Sequence, residues 1–263
     1  DSTIKTVNDY FSQKSLKRII GDEKVKVFMS CAMFYDLEDP NVFMSEIKDM
    51  LASDGIFCIQ LSYLPAMIKN MNFYDICHEH LEYYSLLTLD NLMKRHGLSI
   101  IDAEENAVNG GSVRVYITHK ERKITKSKNF KKLIVLEKRS HLFDVETYTK
   151  FYNKIIHLGK TVKEYIIKEI NDKKIVIGLG ASTKGNVLLQ FFNINKKILP
   201  YISEINPKKI GLRTLGTDIK LISDKQASKL HPSCKLVLPW YFKKEIINRE
   251  KSYLWEGGEL LFP

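Results

Sequence analysis

The chain has 263 residues, of which 41 are Lys or Arg and 31 are Asp or Glu, so its formal net charge is +10 at pH 7. With 44% apolar and 11% aromatic residues, this composition excludes a disordered chain, a collagen and a disulfide-stapled miniprotein. The longest uncharged run, residues 55–68, is interrupted by polar residues and is shorter than the roughly 20 apolar residues that cross a bilayer. The sequence therefore predicts a folded protein with one large or two small domains and no transmembrane helix.

Cysteine spacing and the start of the chain indicate the compartment. The four cysteines are widely spaced without a Cys-x-x-Cys pattern, which favours buried free thiols over a disulfide or zinc framework: Cys31, Cys58, Cys77 and Cys234. Because the chain starts without an initiator Met or a signal segment, we expect a cytoplasmic protein and a piece of a longer chain. The basic stretch 120–132 is interpreted as a solvated linker, with nucleic-acid binding as the weaker alternative.

The first 118 residues predict the order β-α-β-α-β-β. An apolar run over 25–32 is a strand, Asp39-Pro40 opens a helix through residue 51, and a turn at 53–55 precedes a buried strand over 56–61. A helix over 86–96 ends at Gly97, and two strands over 98–103 and 113–118 flank a glycine turn at 109–111.

The second half predicts a helical stretch followed by a small parallel sheet. Residues 129–171 have a helical pattern, and a strand over 174–177 runs into a glycine-containing turn with Ser182 as the N-cap of a helix. The alternation continues with strands over 199–203 and 235–238 and helices near 224–230 and 241–249. The sequence therefore predicts a helical connector over 121–172 between an α/β domain in 1–120 and an α/β domain in 173–263.

The densest chemical cluster is segment 75–85, which holds His78, Glu79 and His80 next to two tyrosines. Imidazoles titrate near neutral pH, and a nearby carboxylate can orient them, so the segment predicts a loop with a proton-transfer site. Zinc is an alternative, although no further His or Cys pair identifies the remaining ligands. A surface loop in which histidines pair with neighbouring acids is the third interpretation.

Two glycine turns complete the candidate sites. Gly110-Gly111 precedes Ser112 and Arg114, an arrangement that suits recognition of an anion or a carbonyl, although a hairpin turn without a function also explains the glycines. Gly178, Gly180 and Gly185 surround a strand-to-helix turn where backbone N–H groups favour phosphate. Their spacing is neither the Rossmann nor the Walker A pattern, and a close-packed turn without a ligand is the alternative.

Three segments in this order, 77–85, 110–114 and 178–186, resemble the consecutive signatures of the S-adenosylmethionine-dependent sugar C-methyltransferases. Residues 239–241 and 257–259 also fit, so the resemblance runs from about residue 25 to the end. The family has a class I methyltransferase domain followed by a Rossmann-like domain, and its substrate is a nucleotide-linked keto-deoxyhexose. The resemblance implies that residues 1–120 are the second half of the methyltransferase domain and that residues 173–263 are the Rossmann-like substrate-binding domain.

The resemblance also implies roles for individual residues. His80 is the base that removes a proton next to the ketone, with Glu79 and His78 shaping its basicity and holding the sugar; His78, Tyr84 and Arg114 are candidate donors to the enolate oxygen. The implied cofactor contacts are Ala32, Met33 and Phe34. The implied substrate contacts are Asp36, Gln60, Tyr63, Cys77, Tyr84, Gly111, Ser112, Arg114, Gly180, Ser182, Lys184, Gly185 and Asn186, with Lys184 as the counter-charge to a diphosphate.

Some positions depart from the family pattern. Cys77 stands where the family commonly has Tyr, and Ala32 and Asp36 replace an Asn and a His, which puts the identity of the sugar in doubt. The glycine loop that binds S-adenosylmethionine and the zinc-binding segment of the family have no counterpart in this sequence, so we expect weak or no cofactor binding by these residues alone and no zinc. Two alternative functions remain: an NAD(P)-dependent oxidoreductase, in which Glu204 would hold a ribose, and a non-catalytic module that binds a nucleotide sugar.

Overall fold

The computed structural model describes residues 4–263, and the chain divides into two compact units. The N-terminal unit runs up to Asn70 and resumes over His78–Asp144, whereas the C-terminal unit comprises Met71–Cys77 and Val145–Pro263. Both units contain helices and parallel strands, so the predicted α/β class is confirmed. The boundaries predicted after residues 120 and 172 stay a prediction.

The N-terminal unit follows the predicted order and adds two short helices. Its elements are α1 (Gln13–Ile20), β1 (Val25–Cys31), α2 (Pro40–Met50), β2 (Leu51–Ser62), α3 (Leu64–Lys69), α4 (Leu86–Arg95), β3 (Leu98–Asn106), β4 (Ser112–His119) and α5 (Lys128–Arg139), with short 3₁₀ turns at Phe34–Asp36, Val108–Gly110 and Lys120–Arg122. Helix α2 begins where the sequence predicts, because the Asp39 carboxylate accepts from the N–H groups of Asn41 and Val42. Ser85 caps α4 in the same way with Thr88 as its reciprocal partner.

The sheet of this unit has the strand order β1-β2-β4-β3. Strands β1 and β2 are parallel, and β4 lies between β2 and β3, antiparallel to both. The sheet therefore ends in the hairpin that the sequence predicts. Alternation along β2 and β4 buries one face, where residues such as Ile59 and Val115 pack against α2, α4 and α5.

Two features of this unit differ from the sequence-based expectation. The predicted turn at 53–55 is part of β2, and the register between β1 and β2 shifts there, so the irregularity is a bulge rather than a strand boundary. Helix α5, which lies in the predicted connector, packs into the core of the N-terminal unit through Phe130 and Leu133. The helical pattern of 129–171 is interrupted at residues 140–144, where His141 has a φ of 54°.

The C-terminal unit is a parallel α/β sheet. Its elements are a 3₁₀ turn at Phe73–Asp75, α6 (Val145–Asn171), β5 (Val176–Leu179), α7 (Thr183–Phe191), β6 (Tyr201–Glu204), β7 (Lys220–Ser223), α8 (Asp224–Ser228), β8 (Cys234–Val237), a 3₁₀ turn at Trp240–Phe242, α9 (Lys243–Arg249), α10 (Lys251–Trp255) and β9 (Glu259–Leu261). The sequence did not indicate the short strands β7 and β9.

All strand pairs of this sheet are parallel, and the order is β7-β6-β5-β8-β9. Numbered within the unit, this is the order 3-2-1-4-5 of a Rossmann-like sheet, as the sequence predicts. Strands β5 and β8 are buried along their whole length. Helix α6 approaches closely at Gly159, where a Cβ atom would lie 2.4 Å from the Phe192 ring. Among residues 4–263, no helix has both the length and the apolar character to cross a bilayer.

Candidate active site

The carboxyl end of β1 leads into a tight turn of the N-terminal unit. Ala32 follows the strand with a φ of 53°, and its N–H group donates to the Gln60 carbonyl at 2.8 Å. The 3₁₀ turn Phe34–Asp36 comes next. The Phe34 side chain is fully buried against the rings of Phe43 and Tyr84. The turn is therefore anchored in the core, and it presents Ala32 and Asp36 to solvent.

Segment 78–85 docks onto this turn. The N–H groups of Leu81 and Glu82 both donate to the Tyr35 carbonyl, at 2.9 and 3.1 Å. The His80 ring lies against the Tyr35 ring, with 4.3 Å between centroids and 53° between planes. The His80 ring nitrogens have no hydrogen-bond partner within residues 4–263. The imidazole is thus held by a ring contact while both of its nitrogens stay available.

His78 and Glu79 stand beside His80 on the same loop but point to solvent. Their side chains are 85% and 58% exposed, and His78 Nε2 lies 4.0 Å from Glu79 Oε1. A pair so exposed contributes little stability, because water screens the charges. The histidine–acid pairing that the sequence left as an alternative is present for His78, whereas His80 is placed differently.

A buried carboxylate from α5 anchors the end of this loop. Glu137 is 2% exposed. It accepts from the Tyr63 hydroxyl at 2.7 Å, from the Leu86 N–H group, and from the Leu87 N–H group at 2.9 Å. Burial, reinforced by this carboxylate, raises the pKa of the Tyr63 phenol far above its ordinary value. Tyr63 is therefore a neutral donor fixed inside the protein, and Glu137 on α5 joins the N-cap residue of α3 to the start of α4.

The glycine turn before β4 packs against the start of α3. Asn109, Gly110 and Gly111 all have positive φ, and a Cβ atom at Gly111 would lie 2.7 Å from that of Ala66. The Gly111 carbonyl accepts from the Tyr63 N–H group at 3.3 Å. The Ser112 hydroxyl donates to the carbonyl of residue 108 at 2.8 Å. These contacts within the protein account for the two glycines and for the Ser112 hydroxyl, so neither requires a bound ligand.

Gln60 and Arg114 meet on the half-buried face of the sheet. Arg114 Nε and Nη2 donate to Gln60 Oε1 at 3.0 and 2.7 Å, and its Nη1 donates to Glu104 Oε1 at 2.9 Å. Tyr116 donates its hydroxyl to the same Glu104 oxygen at 3.0 Å. The guanidinium is thus already occupied by side chains of neighbouring strands. The sequence analysis did not single out Glu104 and Tyr116. Strand alternation, which places Gln60 and Arg114 on one face of the sheet, could have identified both residues as their neighbours on that face.

Tyr84 ends the loop inside the core. Its side chain is 6% exposed, and its hydroxyl has no hydrogen-bond partner within the described part of the chain. Burial and the nearby Glu82 raise the pKa of the Tyr84 phenol well above its ordinary value. A neutral buried hydroxyl without a partner is costly to leave unsatisfied, so Tyr84 is a donor available to a water molecule or a substrate oxygen.

The glycine loop of the C-terminal unit, residues 178–186, follows β5 at the switch point of the sheet, which lies between β5 and β8. Cβ atoms at Gly178, Gly180 and Gly185 would lie 2.6, 2.8 and 2.8 Å from Ile202, Pro239 and Leu238. Ser182 accepts from the Gly185 N–H group at 3.0 Å and caps α7, as predicted. Close packing therefore accounts for the three glycines, although the topology also favours ligands at this edge of the sheet.

The carboxylate of Glu204, at the end of β6, binds the backbone of this loop. Glu204 is 6% exposed. Its Oε2 accepts from the Ala181 N–H group and its Oε1 from the Asn206 N–H group, both at 2.8 Å. A carboxylate already bound to the loop backbone opposes a phosphate at the same donors. Because both Glu204 oxygens are used internally, a role in holding a nicotinamide-nucleotide ribose gains no support from the contacts.

Lys184 forms an ion pair within the C-terminal unit. Its ammonium group lies 2.5 Å from Asp75 Oδ1, and the two side chains are 17% and 1% exposed. Asp75 belongs to segment 71–77, whose Phe73 ring also packs on Phe191 and Phe192 of this unit. Lys184 thus has a carboxylate partner in place before any substrate binds. Asn186 at this loop and Cys77 at the end of the segment are half-buried.

The four cysteines differ in their exposure to solvent. All four cysteines are free, but only Cys234 is buried; Cys58 and Cys77 are half-buried and Cys31 is exposed, so the prediction of uniformly buried thiols was wrong. The reason is that β1 and β2 turn one face away from the core, and Cys31 and Cys58 lie on it.

Among residues 4–263, no group of three or more His, Cys, Asp or Glu side chains could hold a metal ion.

Comparisons with known sequences find similarity to C-methyltransferases. A family model described as the C-methyltransferase C-terminal domain matches residues 107–263. C-methyltransferase NovU of Streptomyces niveus is 29% identical over 230 residues, which are 88% of this chain and 55% of NovU. The chain therefore spans about half the length of the curated relative that it matches.

Solved structures give weaker matches. A complex between the Haloferax volcanii Trm112 methyltransferase activator and a methyltransferase matches at a TM-score of 0.32 and 14% identity, covering 37% of this chain and 55% of the other. The mitomycin 7-O-methyltransferase MmcR matches at 0.30 and 11% identity, covering 37% and 30%. Scores this low carry no argument, so the fold assignment rests on the strand order.

Proposed function

Since the chain belongs to the C-methyltransferase family, we propose that it serves S-adenosylmethionine-dependent methylation of a carbon atom next to the ketone of a nucleotide-linked keto-deoxysugar. His80 is the proposed base. The observation that carries this proposal is the placement of His80, whose ring is fixed against Tyr35 while its nitrogens have no hydrogen-bond partner among residues 4–263.

The proposed proton transfer is a simple base reaction. A ketone acidifies the neighbouring C–H bond, and a neutral imidazole nitrogen of His80 takes that proton. The electron pair of the C–H bond then forms an enolate, whose carbon is the nucleophile. A positioned base of this kind contributes roughly 10²–10⁴ in rate.

Donors near the ketone oxygen would stabilise the enolate. Tyr84 suits this role best among the three candidates, because its hydroxyl is neutral and unpartnered within the described residues. Arg114 is committed to Gln60 and Glu104, and His78 is exposed. Glu79 and His78 are proposed to tune His80 and to contact the sugar.

S-adenosylmethionine supplies an electrophilic methyl group when it is bound. The residues implied for its contacts fit it only in part: Ala32 is exposed and Met33 is half-buried, whereas the Phe34 side chain is enclosed in the core. They offer apolar contact and backbone groups but no carboxylate for ribose hydroxyls. These residues would therefore border the cofactor rather than hold it.

The substrate assignment rests on the resemblance of the motifs and stays a proposal. Gly180, Ser182, Lys184, Gly185 and Asn186 are the proposed substrate contacts of the C-terminal unit, with the topological switch point of that sheet in support. A nucleotide-linked sugar is the proposed partner; the absence of nucleic-acid and membrane partners and a cytoplasmic location stay predictions.

A labelled-methyl assay tests the function. When S-adenosylmethionine is bound, we expect its methyl group to be transferred to a dTDP- or GDP-linked keto-deoxysugar, and His80→Asn to reduce turnover by about 10²-fold or more. His157→Asn changes an exposed histidine of α6 and serves as the matched control. Full turnover by His80→Asn would remove His80 from its role. Sugar binding without transfer while S-adenosylmethionine is bound to the unmodified protein would instead favour the non-catalytic module.

A further inference from the structure

Tyr35 is the surface against which His80 rests. It is 6% exposed, so its ring is fixed by the core, and the His80 ring lies 4.3 Å from it. The same residue accepts two backbone hydrogen bonds from the residues that follow His80. One buried residue therefore fixes both the backbone of the loop and the plane of the imidazole.

Asp36 follows Tyr35 and is the acidic residue of the 3₁₀ turn Phe34–Asp36. Its carboxylate has no hydrogen-bond or ion-pair partner within residues 4–263, in contrast to the committed carboxylates of Glu104 and Glu137. Asp36 is exposed as a residue, yet partial burial of its carboxyl raises the pKa of Asp36; His80 opposes that rise and Glu79 adds to it. Asp36 and His80 thus interact electrostatically, and Glu79 is the other charged group that acts on Asp36.

We propose that Tyr35 and Asp36 are positioning residues for His80: the phenol ring sets the orientation of the imidazole, and the carboxylate stabilises the imidazolium that forms when the substrate proton arrives. This inference rests on the proposed function of His80. In the step itself, the substrate C–H bond breaks, its electron pair passes to the enolate, and the proton forms an N–H bond on His80. Asp36 stays ionised throughout and contributes only its charge and position.

The charges around the pair define what each group does. On the turn, the Tyr35 ring contacts the His80 ring and Asp36 interacts with His80 electrostatically, whereas Glu79, His78 and Glu82 belong to the same loop as His80 and are exposed. Since interaction energies are reciprocal, the effect of protonated His80 on Asp36 equals the effect of ionised Asp36 on the protonation of His80. A measurement on Asp36 therefore reports the coupling that the proposal needs.

Carbon-13 NMR of the Asp36 carboxyl, assigned with Asp36→Asn, measures the coupling in the chain itself. We expect His80→Gln to raise the pKa of Asp36, because a neighbouring cation is lost, and Glu79→Gln to lower it, because a neighbouring anion is lost. Circular dichroism checks that each variant is folded. An Asp36 titration that is unchanged by His80→Gln would overturn the role of Asp36.

The ring current of Tyr35 tests the other half of the proposal. A proton near an aromatic face is shielded, so we expect the His80 Cε1–H signal to move when Tyr35→Leu removes the ring and to stay when Tyr35→Phe keeps it. Tyr35→Phe is also the folded control should Tyr35→Leu fail to fold. A His80 signal that moves equally in both variants, or one already at the shift of a free histidine in the unmodified chain, would overturn the role of Tyr35.

Turnover separates this inference from the proposed function. Asp36→Asn should displace the acid limb of the methyl-transfer pH profile toward lower pH, because a neighbouring negative charge is lost, while His80 remains essential. An unshifted profile with His80 still essential contradicts this inference alone. A dispensable His80 contradicts the proposed function, whatever the NMR shows.

Discussion

The ammonium group of Lys184 on α7 lies 2.5 Å from the carboxylate of Asp75, which is 1% exposed. The pair joins segment 71–77 to the glycine loop of the C-terminal unit. Lys184 also lies 5.0 Å from the centre of the Tyr241 ring, and burial with Asp75 nearby raises the pKa of the Tyr241 phenol. The lysine that sequence patterns assign to a substrate diphosphate is therefore also part of a buried ion pair.

Breaking this pair should destabilise the C-terminal unit. Asp75→Asn or Lys184→Met leaves one buried charge without its partner, so we expect each to lower the free energy of unfolding by about 3 kcal/mol, and the double variant to lose less than the sum. Both tryptophans, Trp240 and Trp255, lie in this unit, so their fluorescence during urea unfolding measures its stability.

An exposed ion pair of the same unit provides the control. Glu146 and Lys150 on α6 are 68% and 69% exposed, so Glu146→Gln should change the stability by less than about 0.5 kcal/mol. Strict additivity of Asp75→Asn and Lys184→Met would show that the two side chains are not coupled.

Glu137 should be the most sensitive carboxylate of the N-terminal unit. Glu137→Gln weakens three hydrogen bonds to one buried ion, so we expect a loss of about 2–3 kcal/mol in the free energy of unfolding, and Tyr63→Phe to lose about 1–2 kcal/mol. Urea unfolding followed by far-ultraviolet circular dichroism measures it. Glu121→Gln changes an exposed acid of this unit and is the control. An equal loss of stability in both variants would show that the hydrogen bonds of Glu137 do not stabilise this unit.

The sequence predicts regular elements and motifs better than it predicts partners. Apolar periodicity and the caps Asp39, Ser85 and Ser182 locate their helices, because these signals are local. Strands β7 and β9 each begin with a charged residue and contain only two consecutive apolar residues, so neither forms an apolar run that would be recognised as a strand. The sequence analysis did not identify Glu137 on α5, because the groups that its carboxylate binds are 50 or more positions away along the chain.

The same limit applies to the candidate site. The cluster 77–85 is visible as a motif, yet nothing local shows that His80 rests on Tyr35 or that Arg114 is bound by Gln60 and Glu104. Glycine spacing suggests a phosphate loop, whereas the packing of Gly180 and the internal bonds of Glu204 appear only in three dimensions.

Ala32 carries backbone strain that a substitution should relieve. Its φ of 53° lies in the left-handed region, which costs a residue with a Cβ atom roughly 1–2 kcal/mol. Allowing for the greater flexibility of glycine in the unfolded chain, we expect Ala32→Gly to stabilise the N-terminal unit by about 0.5–1 kcal/mol. Thermal unfolding compares it with Ala107→Gly, where φ is −87° and no gain is expected. A loss of stability in Ala32→Gly would show that the backbone of Ala32 is not strained.

Packing, rather than loss of a ligand, should dominate substitutions in the glycine loop. Gly180 and Gly211 have φ values of 79° and 90°, but only at Gly180 would a Cβ atom meet a neighbour, 2.8 Å away at Pro239. Gly180→Ala should therefore cost about 2–4 kcal/mol and Gly211→Ala about 1 kcal/mol, measured by tryptophan fluorescence in urea without ligand. Equal costs would mean that Gly180 is kept for another reason.

Hydrogen exchange at the substrate carbon tests the base directly, because it needs no methyl donor. In D₂O without S-adenosylmethionine, the enzyme should introduce deuterium next to the ketone of a nucleotide-linked keto-deoxysugar, and mass spectrometry measures the incorporation. We expect His80→Asn to bind the sugar but to abolish this exchange. Exchange at the unmodified rate in His80→Asn would contradict the proposed role of His80 as the base.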